Sequence, residues 1–238
     1  VVTAQKREQQ LQDVGISVTA FSGDQLKALG FSDTTQIDEQ VPGLMVTDYG
    51  SGTTTIFTIR GSSQLDFADI HEPPVAVYSD GGYNPFVAGV GFSFFDLERI
   101  EVLRGPQGTL FGRNATGGVV HLISAGPTRE FEGYGEATGG EYGQHRFEGA
   151  VSGPLGETLS GRLSGAYHKN SGYLKDLSNP GDKHQEIENF SGRAQLLWEP
   201  NEDLSIHVRG TVGLDDVNSG QLYVLSPVVP DPVTGKFI

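Results

Sequence analysis

The stretch LSIHVRGTVGL, residues 204–214, decides how the second half of this chain folds. Leucine, isoleucine, valine and glycine alternate in it with serine, histidine, arginine and threonine, with a further glycine at position 213. Because successive side chains of a β-strand point to opposite faces of the sheet, a period of two predicts a strand. One face of this strand is apolar or glycine, and the other is polar almost throughout.

The same alternation recurs upstream. It is clear in Phe190–Trp198 and Leu159–Tyr167, weaker in Arg146–Gly153, and preceded by a predicted first strand at Phe131–Gly140. Each run has roughly 8–11 residues, the length of a membrane-crossing strand. A soluble sandwich also alternates, but here arginine, histidine, serine and glutamine share one face while glycine and bulky apolar residues share the other. A membrane barrel requires that arrangement, with lipid outside and a polar lumen inside.

The connections between these runs alternate in length. Pro154–Thr158 and Pro200–Asp203 are predicted as short turns, whereas His168–Asn189 and the stretch from Asp215 onward are predicted as long loops. Short periplasmic turns and long extracellular loops alternate in the same way in outer-membrane barrels. About five strands are predicted, and five cannot close a membrane barrel because their unpaired edges would face lipid. We therefore expect residues 131–238 to be the first strands of an incomplete barrel.

The first half has a different character. Ser22-Gly23-Asp24 before Gln25–Leu29 predicts a short capped helix, and Asp33–Gln40 predicts a second one that ends before Val41-Pro42-Gly43. Short strands are predicted at Leu44–Thr47, Thr54–Arg60, Val75–Tyr78, Arg99–Leu103 and Val119–Ser124. This half is expected to form a small α+β domain.

Composition narrows the class of protein. The 238 residues include 34 glycines and no cysteine, and the formal net charge is -14. High glycine suits a β-rich chain with tight corners. The absence of cysteine excludes disulfides and thiolate metal sites. Acidity argues against nucleic acid as a partner, because phosphate binding needs clustered lysine and arginine. No apolar run reaches the length of a membrane helix, and no signal peptide is visible.

Six sequence blocks occur in a characteristic order in the first half. They are Val1–Ala4, Val41–Val46, Phe57–Gly61, Pro74–Gly81, Leu97–Pro106 and Gly108–Ile123. Together they resemble the plug domain of TonB-dependent outer-membrane transporters. The resemblance implies an α+β plug domain, a mixed small sheet with short helices, followed by antiparallel strands of a transmembrane β-barrel of about 22 strands with a plugged lumen. It divides the chain into a TonB-box remnant and linker at 1–8, a plug domain at 9–126 and barrel strands at 131–238.

The resemblance also implies roles for particular residues. Val1, Val2, Thr3 and Ala4 look like the end of a TonB box, an extended segment able to add as a strand to a partner's sheet edge. Arg60 and Arg104 resemble family arginines that pair with barrel-wall glutamates through bidentate contacts, and Glu101 is expected to join that network.

Ligand binding is expected in the plug loops that face outward, Gly61–Pro74 and Gly81–Phe92. The candidate ligand-binding residues in these loops are Asp66, His71, Tyr83, Asn84 and Phe86. Asp66, Asp69, His71 and Glu72 could instead hold a metal, but a solvated loop is the preferred interpretation, and no metal site or cofactor is predicted. The glycine clusters fit neither phosphate-binding pattern, and no catalytic arrangement stands out, so the chain is not predicted to be an enzyme.

The leading functional hypothesis is TonB-dependent import of a scarce solute across the bacterial outer membrane, with the plug accessible from the periplasm. The expected partners are TonB with its inner-membrane energising complex, outer-membrane lipid, and an extracellular small ligand such as siderophore-bound iron, cobalamin or an oligosaccharide. The main alternative is a receptor or signalling barrel without transport. A passive porin-like channel and a soluble glycan-binding β protein are two further alternatives.

Overall fold

The computed structural model describes residues 2–3, 9–31, 34–48, 54–64, 72–86, 89–175 and 183–218. Two five-stranded sheets and a separate hairpin account for the strands in these ranges. The first sheet and the hairpin belong to the N-terminal domain. The second sheet follows it and is referred to here as the wall sheet. Within the described ranges, no helix combines the length and apolarity needed to cross a membrane.

The N-terminal domain contains seven strands and two short helices within its described residues. The strands are β1 Ser17–Ser22, β2 Leu44–Asp48, β3 Thr55–Ile59, β4 Val75–Ser79, β5 Gly82–Asn84, β6 Leu97–Arg104 and β7 Gly118–Ser124. The helices are α1 Gly23–Ala28 and α2 Gly108–Phe111. The order in the sheet is β1-β6-β7-β4-β5, with β4 and β7 parallel and the other pairs antiparallel. Strands β2 and β3 form a separate two-stranded sheet in the part of the chain that is described.

Alternation along β4, β6 and β7 places an apolar core on each face of this sheet. Val77, Ile100 and Val120 belong to the first core, which packs against the hairpin and α1. Leu103 and Val119 belong to the second core. Full burial of such side chains contributes about 1.5–3 kcal/mol each, so these two layers dominate the stability of the domain.

Helix α1 begins as its sequence predicts. The Ser22 hydroxyl accepts a hydrogen bond from the Gln25 amide, and the Gln25 side chain accepts one from the Ser22 amide, which completes a capping box. The predicted second helix is a 3-10 helix at Thr34–Gln40, and Asp33 lies outside the described residues. Sequence patterns missed the edge strands β1 and β5.

The wall sheet consists of five antiparallel strands in sequential order. They are β8 Glu132–Gly139, β9 His145–Pro154, β10 Leu159–Lys175, β11 Lys183–Asn201 and β12 Leu204–Asn218. The predicted alternation is present: Ser164 and Arg193 lie buried on the face toward the N-terminal domain, whereas Leu163 and Val212 are exposed on the opposite face.

The prediction of a long loop between β10 and β11 is wrong, because strand residues occupy most of that range. Strand β10 has 17 residues and β11 has 19, and their pairing extends to Lys175 and Lys183. Residues 176–182 and 219–238 lie outside the described residues. Polar residues such as His168 and Asn170 are the reason why β10 and β11 are longer than predicted. They fit a strand that continues beyond an apolar belt, because only the segment inside the belt needs an apolar face.

Candidate functional site

The N-terminal segment docks on the second core of the N-terminal domain. Val2 is buried in that core, and its backbone exchanges two hydrogen bonds with Gln9 at 2.9 and 3.0 Å. The Thr3 amide donates to Glu101 Oε1 at 2.7 Å, and Arg99 Nε donates to the same oxygen at 2.8 Å. Val1 and Ala4, the other two predicted TonB-binding residues, lie outside the described residues.

Glu101 occupies a different place from the one predicted for it. Its side chain is fully buried on β6, and its hydrogen-bond partners Thr3 and Arg99 both belong to the N-terminal part of the chain. Within the described residues, Glu101 therefore contacts the domain's own N-terminal segment and not the wall sheet. The second carboxylate oxygen, Oε2, is buried without a hydrogen-bond partner there. A buried carboxylate with only one satisfied oxygen makes Arg99 and Thr3 important for its stability.

Arg60 and Arg104 lie near each other, at the ends of β3 and β6. A Cβ built on Gly105 would lie 3.7 Å from Arg60 Nη1, and Arg104 Nη1 donates to the Pro42 carbonyl at 3.1 Å. Arg60 is exposed. Neither guanidinium contacts a carboxylate within the described ranges, so their predicted pairing with wall glutamates stays a prediction about parts of the wall that are not described.

The contacts that do join the N-terminal domain to the wall centre on Asp96. Arg162 on β10 donates to both of its oxygens, from Nε at 2.8 Å and from Nη2 at 2.5 Å. Asp96 is 3% exposed and Arg162 7% exposed, so the pair is shielded from water. Tyr134 and Glu148 complete the cluster: the Tyr134 hydroxyl donates to Glu148, which also accepts from the Asp96 amide at 2.9 Å. We refer to these four residues as the Asp96 cluster.

Two further wall side chains hold the N-terminal domain through its backbone. Arg193 Nη1 donates to the Phe95 carbonyl at 3.1 Å, and its guanidinium lies 4.3 Å from the centre of the Phe95 ring. Gln195 Nε2 donates to the Ala125 carbonyl at 2.7 Å. Buried carbonyls that accept such bonds avoid the cost of lost hydration.

A second aspartate repeats the arrangement of Asp96. Arg209 on β12 lies 3.1 Å from Asp80 Oδ2, and the Asp80 carboxylate also accepts from the amide and hydroxyl of Ser124 at 2.8 and 2.6 Å. Asp80 and Asp96 have φ angles of 52° and 48°, in the left-handed region. Aspartate tolerates this conformation better than most residues, because its short side chain bonds locally.

The sequence did not predict these two pairs, and they leave the predicted pairing of Arg60 and Arg104 untested. Arginines on the N-terminal domain were predicted to meet glutamates on the wall; in the described residues, aspartates on the domain meet Arg162 and Arg209 on the wall. One signal was available in the sequence. Arg146, Arg162 and Arg193 recur on the polar face of the strands, and buried arginines require acceptors. Nothing in the spacing of Asp80 and Asp96 marked them as those acceptors.

Shape also joins the two parts. A Cβ built on Gly213, on the inner face of β12, would lie 2.4 Å from Cγ of Phe92. The ring of Phe92 therefore fills the space that the missing Gly213 side chain leaves. Phe92 is the last residue of the predicted ligand loop Gly81–Phe92, so this contact ties the end of that loop to the wall.

The three ligand-binding candidates that the structure describes, Tyr83, Asn84 and Phe86, differ in their surroundings. Tyr83 packs against the second core, where its oxygen accepts a 2.6 Å hydrogen bond from Asn114 and its ring lies 5.6 Å from that of Tyr78. Burial, with a smaller contribution from Tyr83, raises the pKa of Tyr78. Asn84 accepts a bond from the Phe86 amide, and Phe86 is 51% exposed. Among the described candidates, Phe86 is the most exposed, whereas Tyr83 and Asn84 are half-buried.

The remaining candidates, Asp66 and His71, lie outside the described residues. Among the residues that are described, no group of three or more histidine, cysteine, aspartate and glutamate side chains is arranged to hold a metal ion.

Comparison with known proteins agrees with this architecture. Residues 10–119 match the family model described as the TonB-dependent receptor plug domain. The chain is 29% identical over 160 residues to the pesticin receptor of Yersinia pestis, covering 67% of this chain and 23% of that protein. It is 31% identical over 185 residues to the iron-regulated outer membrane virulence protein of Vibrio cholerae, covering 69% of this chain and 26% of that protein. The chain thus spans about a quarter of the length of these relatives.

Solved structures share the fold. The ferric yersiniabactin uptake receptor FyuA from Yersinia pestis matches with a TM-score of 0.73 at 24% identity, over 83% of this chain and 31% of that one. The receptor FpvA of Pseudomonas aeruginosa, in complex with a heterologous pyoverdine and iron, matches with a TM-score of 0.72 at 24% identity, over 90% of this chain and 27% of that one. With its plug-domain match, its receptor relatives and its domain packed against antiparallel wall strands, the chain belongs to the family of TonB-dependent outer-membrane receptors.

Proposed function

We propose that this chain is the energy-coupling part of an active importer of the bacterial outer membrane. In this proposal residues 1–8 receive the pull of TonB, residues 9–126 are the plug, and the wall sheet begins a barrel of about 22 strands that the plug fills. The docking of Thr3 on the buried Glu101 is the observation that carries the proposal. It links the segment that TonB would hold to the centre of the plug sheet.

The coupling follows from the connectivity of that sheet. Glu101 lies in β6, between the edge strand β1 and the central strand β7. A pull on residues 1–4 first breaks the bonds of Val2 with Gln9 and of Thr3 with Glu101. It then acts on β1, which has only one neighbouring strand. Local opening of a plug must draw on its least stable elements, and an edge strand held by a single ladder is such an element.

The wall contacts have the opposite role. The Asp96 cluster and Arg193 keep the β5–β6 connection on the wall while β1 is pulled. Gln195 holds the end of β7, and Arg209 holds the turn between β4 and β5. A plug that is mobile on one side and anchored on the other opens a path without leaving the barrel.

The proposed cargo is a metal chelate. Relatives of this chain include a ferrioxamine receptor of Yersinia enterocolitica, a ferripyoverdine receptor of Pseudomonas aeruginosa and a vitamin B12 transporter of Photobacterium profundum. An aromatic side chain such as Phe86 offers a stacking surface for such a ligand. Asp66 and His71 remain proposed ligand contacts, and TonB with its inner-membrane complex remains the proposed partner.

Deleting residues 1–4 from the full-length receptor tests the coupling. Uptake of a radiolabelled ferric siderophore, chosen from a panel by binding to whole cells, should stop while binding stays nearly intact. A matched control exchanges the exposed pair Glu202 and Asp203 of the turn between β11 and β12 for glutamine and asparagine, and should leave both activities unchanged. Uptake that survives the deletion would refute TonB-driven import.

The second candidate function is a surface receptor that signals without transport. It predicts ligand binding with no accumulation of label in either the wild type or the deletion variant. The same uptake assay therefore separates the two functions. The absence of catalytic arrangements in the sequence supports the proposal that neither function involves an enzyme reaction.

A further inference from the structure

A cavity separates helix α1 from the wall sheet. It has a volume of about 360 Å³, with α1 on the plug side and strands β8 and β9 on the wall side. The residues that line it include Leu26 and Lys27 of α1, Glu136 of β8, and Arg146 and Glu148 of β9. Direct hydrogen bonds join the plug to the wall at the neighbouring Asp96 cluster, so the cavity is a local gap in an otherwise bonded interface.

The side chain of Lys27 reaches the wall across this cavity. Lys27 Nζ lies 3.3 Å from Glu136 Oε1 and 3.6 Å from the centre of the Tyr134 ring, and both partners belong to β8. A lysine over an aromatic ring is attracted to the negative face of that ring. We refer to these two interactions as the Lys27 contact.

The Lys27 contact is weaker than the attachment on the other side of the cavity. The side chains of Lys27 and Glu136 are exposed, so water screens their attraction and hydrates each charge when they separate. Asp96 and Arg162 are both buried and bonded through two hydrogen bonds, and their separation leaves charges in a poorly hydrated site. A force on the plug should therefore move α1 from the wall before it moves Asp96.

Strand β1 continues directly into α1. Ser22 is both the last residue of β1 and the N-cap of α1, so displacement of β1 from β6 carries α1 with it. The next element along the chain, the 3-10 helix Thr34–Gln40, lines a second cavity of about 160 Å³. The two cavities share Phe94, Phe95 and Arg146 in their linings. Continued displacement of the chain from its N-terminal end would thus widen the gap from the first cavity into the second.

We propose that the passage for the imported solute opens between α1 and strands β8 and β9, and that the Lys27 contact keeps this passage closed at rest. The inference rests on the proposed import function and adds the place where the plug separates from the wall. When α1 moves away, the wall side of the passage consists of polar side chains suited to a hydrated solute. They are Glu136, Thr138, Arg146 and Glu148.

A reversible cross-link across the cavity tests the location of the passage. The 238 residues contain no cysteine, so an introduced pair can be joined specifically in a full-length receptor without other cysteines. In Lys27→Cys/Glu136→Cys, a reducible bifunctional thiol reagent joins α1 to β8. Uptake of the same radiolabelled ferric siderophore should stop after cross-linking and return when a reductant cleaves the link. Binding to whole cells should stay unchanged throughout, and mass spectrometry measures the extent of cross-linking.

The matched control is a cross-link on the side of the plug that stays on the wall. In Ala125→Cys/Gln195→Cys, the same reagent joins the end of β7 to β11, where Gln195 bonds to the Ala125 carbonyl in the wild type. Because this part of the plug does not move in the proposal, cross-linking should leave uptake at the level of the same variant before treatment.

Hydrogen–deuterium exchange of the α1 peptide in the purified receptor tests the Lys27 contact without any uptake. Lys27→Gln removes the attraction to Glu136 and to the Tyr134 ring, and should speed exchange about fivefold. Lys27→Arg keeps a cation that can make both interactions, and should exchange at nearly the wild-type rate.

Three outcomes would overturn the proposal. The first is uptake that continues after complete cross-linking of Lys27→Cys/Glu136→Cys. The second is an equal block by the control cross-link, because the plug would then move as a whole. The third is unchanged exchange of the α1 peptide in Lys27→Gln. A wild type without uptake would refute the import proposal and the passage with it, whereas the exchange result would still decide whether the Lys27 contact holds α1.

Discussion

Asp96 of the plug and Arg162 of the wall form a bidentate ion pair that is buried on both sides, with N–O distances of 2.8 and 2.5 Å. Breaking a buried ion pair costs about 3–5 kcal/mol when the remaining charge is left alone. Arg162 Nη1 also lies 2.8 Å from Glu132 Oε1 on the wall, so the loss of Asp96 should cost less than that full amount. Asp96→Asn is the cleanest change, because asparagine also tolerates the left-handed φ of 48°. The variant should lower the denaturant midpoint of plug unfolding and increase ion leakage through the receptor in planar bilayers.

An exposed ion pair provides the control for that prediction. Arg129 and Glu199 are 2.7 Å apart with side chains 44% and 37% exposed. Arg129→Gln should change stability by only about 0–1 kcal/mol, since water screens the pair. Equal effects of Asp96→Asn and Arg129→Gln would show that the Asp96 cluster does not anchor the plug.

Because Phe92 packs against Gly213, a smaller residue at position 92 should reverse the effect of a larger one at position 213. Gly213→Val places side-chain atoms where the Phe92 ring lies, since even a Cβ would be 2.4 Å from that ring. The single variant should increase antibiotic leakage into cells, because overpacking costs about 1–3 kcal/mol and displaces the loop. Phe92→Ala in the Gly213→Val background should restore the barrier, and its failure to do so would mean that this contact does not hold the loop.

Glu101→Leu should release the N-terminal segment. The change removes the acceptor of the Thr3 amide and of Arg99, and hydrogen bonds to charged groups are worth about 1.5–3 kcal/mol each. Hydrogen–deuterium exchange of the peptide containing Thr3 should become faster in the purified receptor. Glu98→Leu removes the exposed neighbour that also pairs with Arg99, and should leave that exchange nearly unchanged. If the peptide containing Thr3 still exchanges slowly in Glu101→Leu, burial of Val2, and not the bonds to Glu101, holds the segment.

The capping box of α1 gives a prediction about local stability. Ser22→Ala removes the acceptor for the Gln25 amide, a 3.2 Å bond at the helix start. Loss of an N-cap costs about 1 kcal/mol. The effect should appear in denaturant unfolding of the plug without a change in ligand binding. A change below about 0.3 kcal/mol would indicate that packing of Leu26 alone holds this helix.

The sequence predicted the elements whose information is local. Alternation in residues 204–214 and 159–167 predicted strands with the correct inward and outward faces, and Ser22 with Gln25 predicted α1. Edge strands were harder. Ser17–Ser22 is partly buried along both faces, so its sequence shows little alternation between a buried and an exposed face. Its position also depends on pairing with β6, which lies far along the chain.

Tertiary pairing explains where the structure places Glu101 and Asp96. Glu101 looked like a candidate for wall contact because it precedes Arg104 in a recognisable block, but alternation along β6 turns it into the second core, toward Thr3. Asp96 carried no signal because its partner Arg162 lies 66 residues away. Only the fold decides which buried arginine meets which carboxylate.

The charge of the three wall arginines that contact the plug bears on which solutes the proposed importer would accept. Arg162, Arg193 and Arg209 lie on three adjacent strands and bond to oxygens of the plug. These oxygens belong to carboxylates for Arg162 and Arg209 and to the Phe95 carbonyl for Arg193. Asp80 and Asp96 of the plug therefore supply part of the negative charge beside these arginines, and Glu132 on the wall supplies another part. In the importer proposed above, withdrawal of Asp80 and Asp96 would increase the positive charge beside Arg162 and Arg209, which favours cargo with carboxylate or other anionic groups at that place.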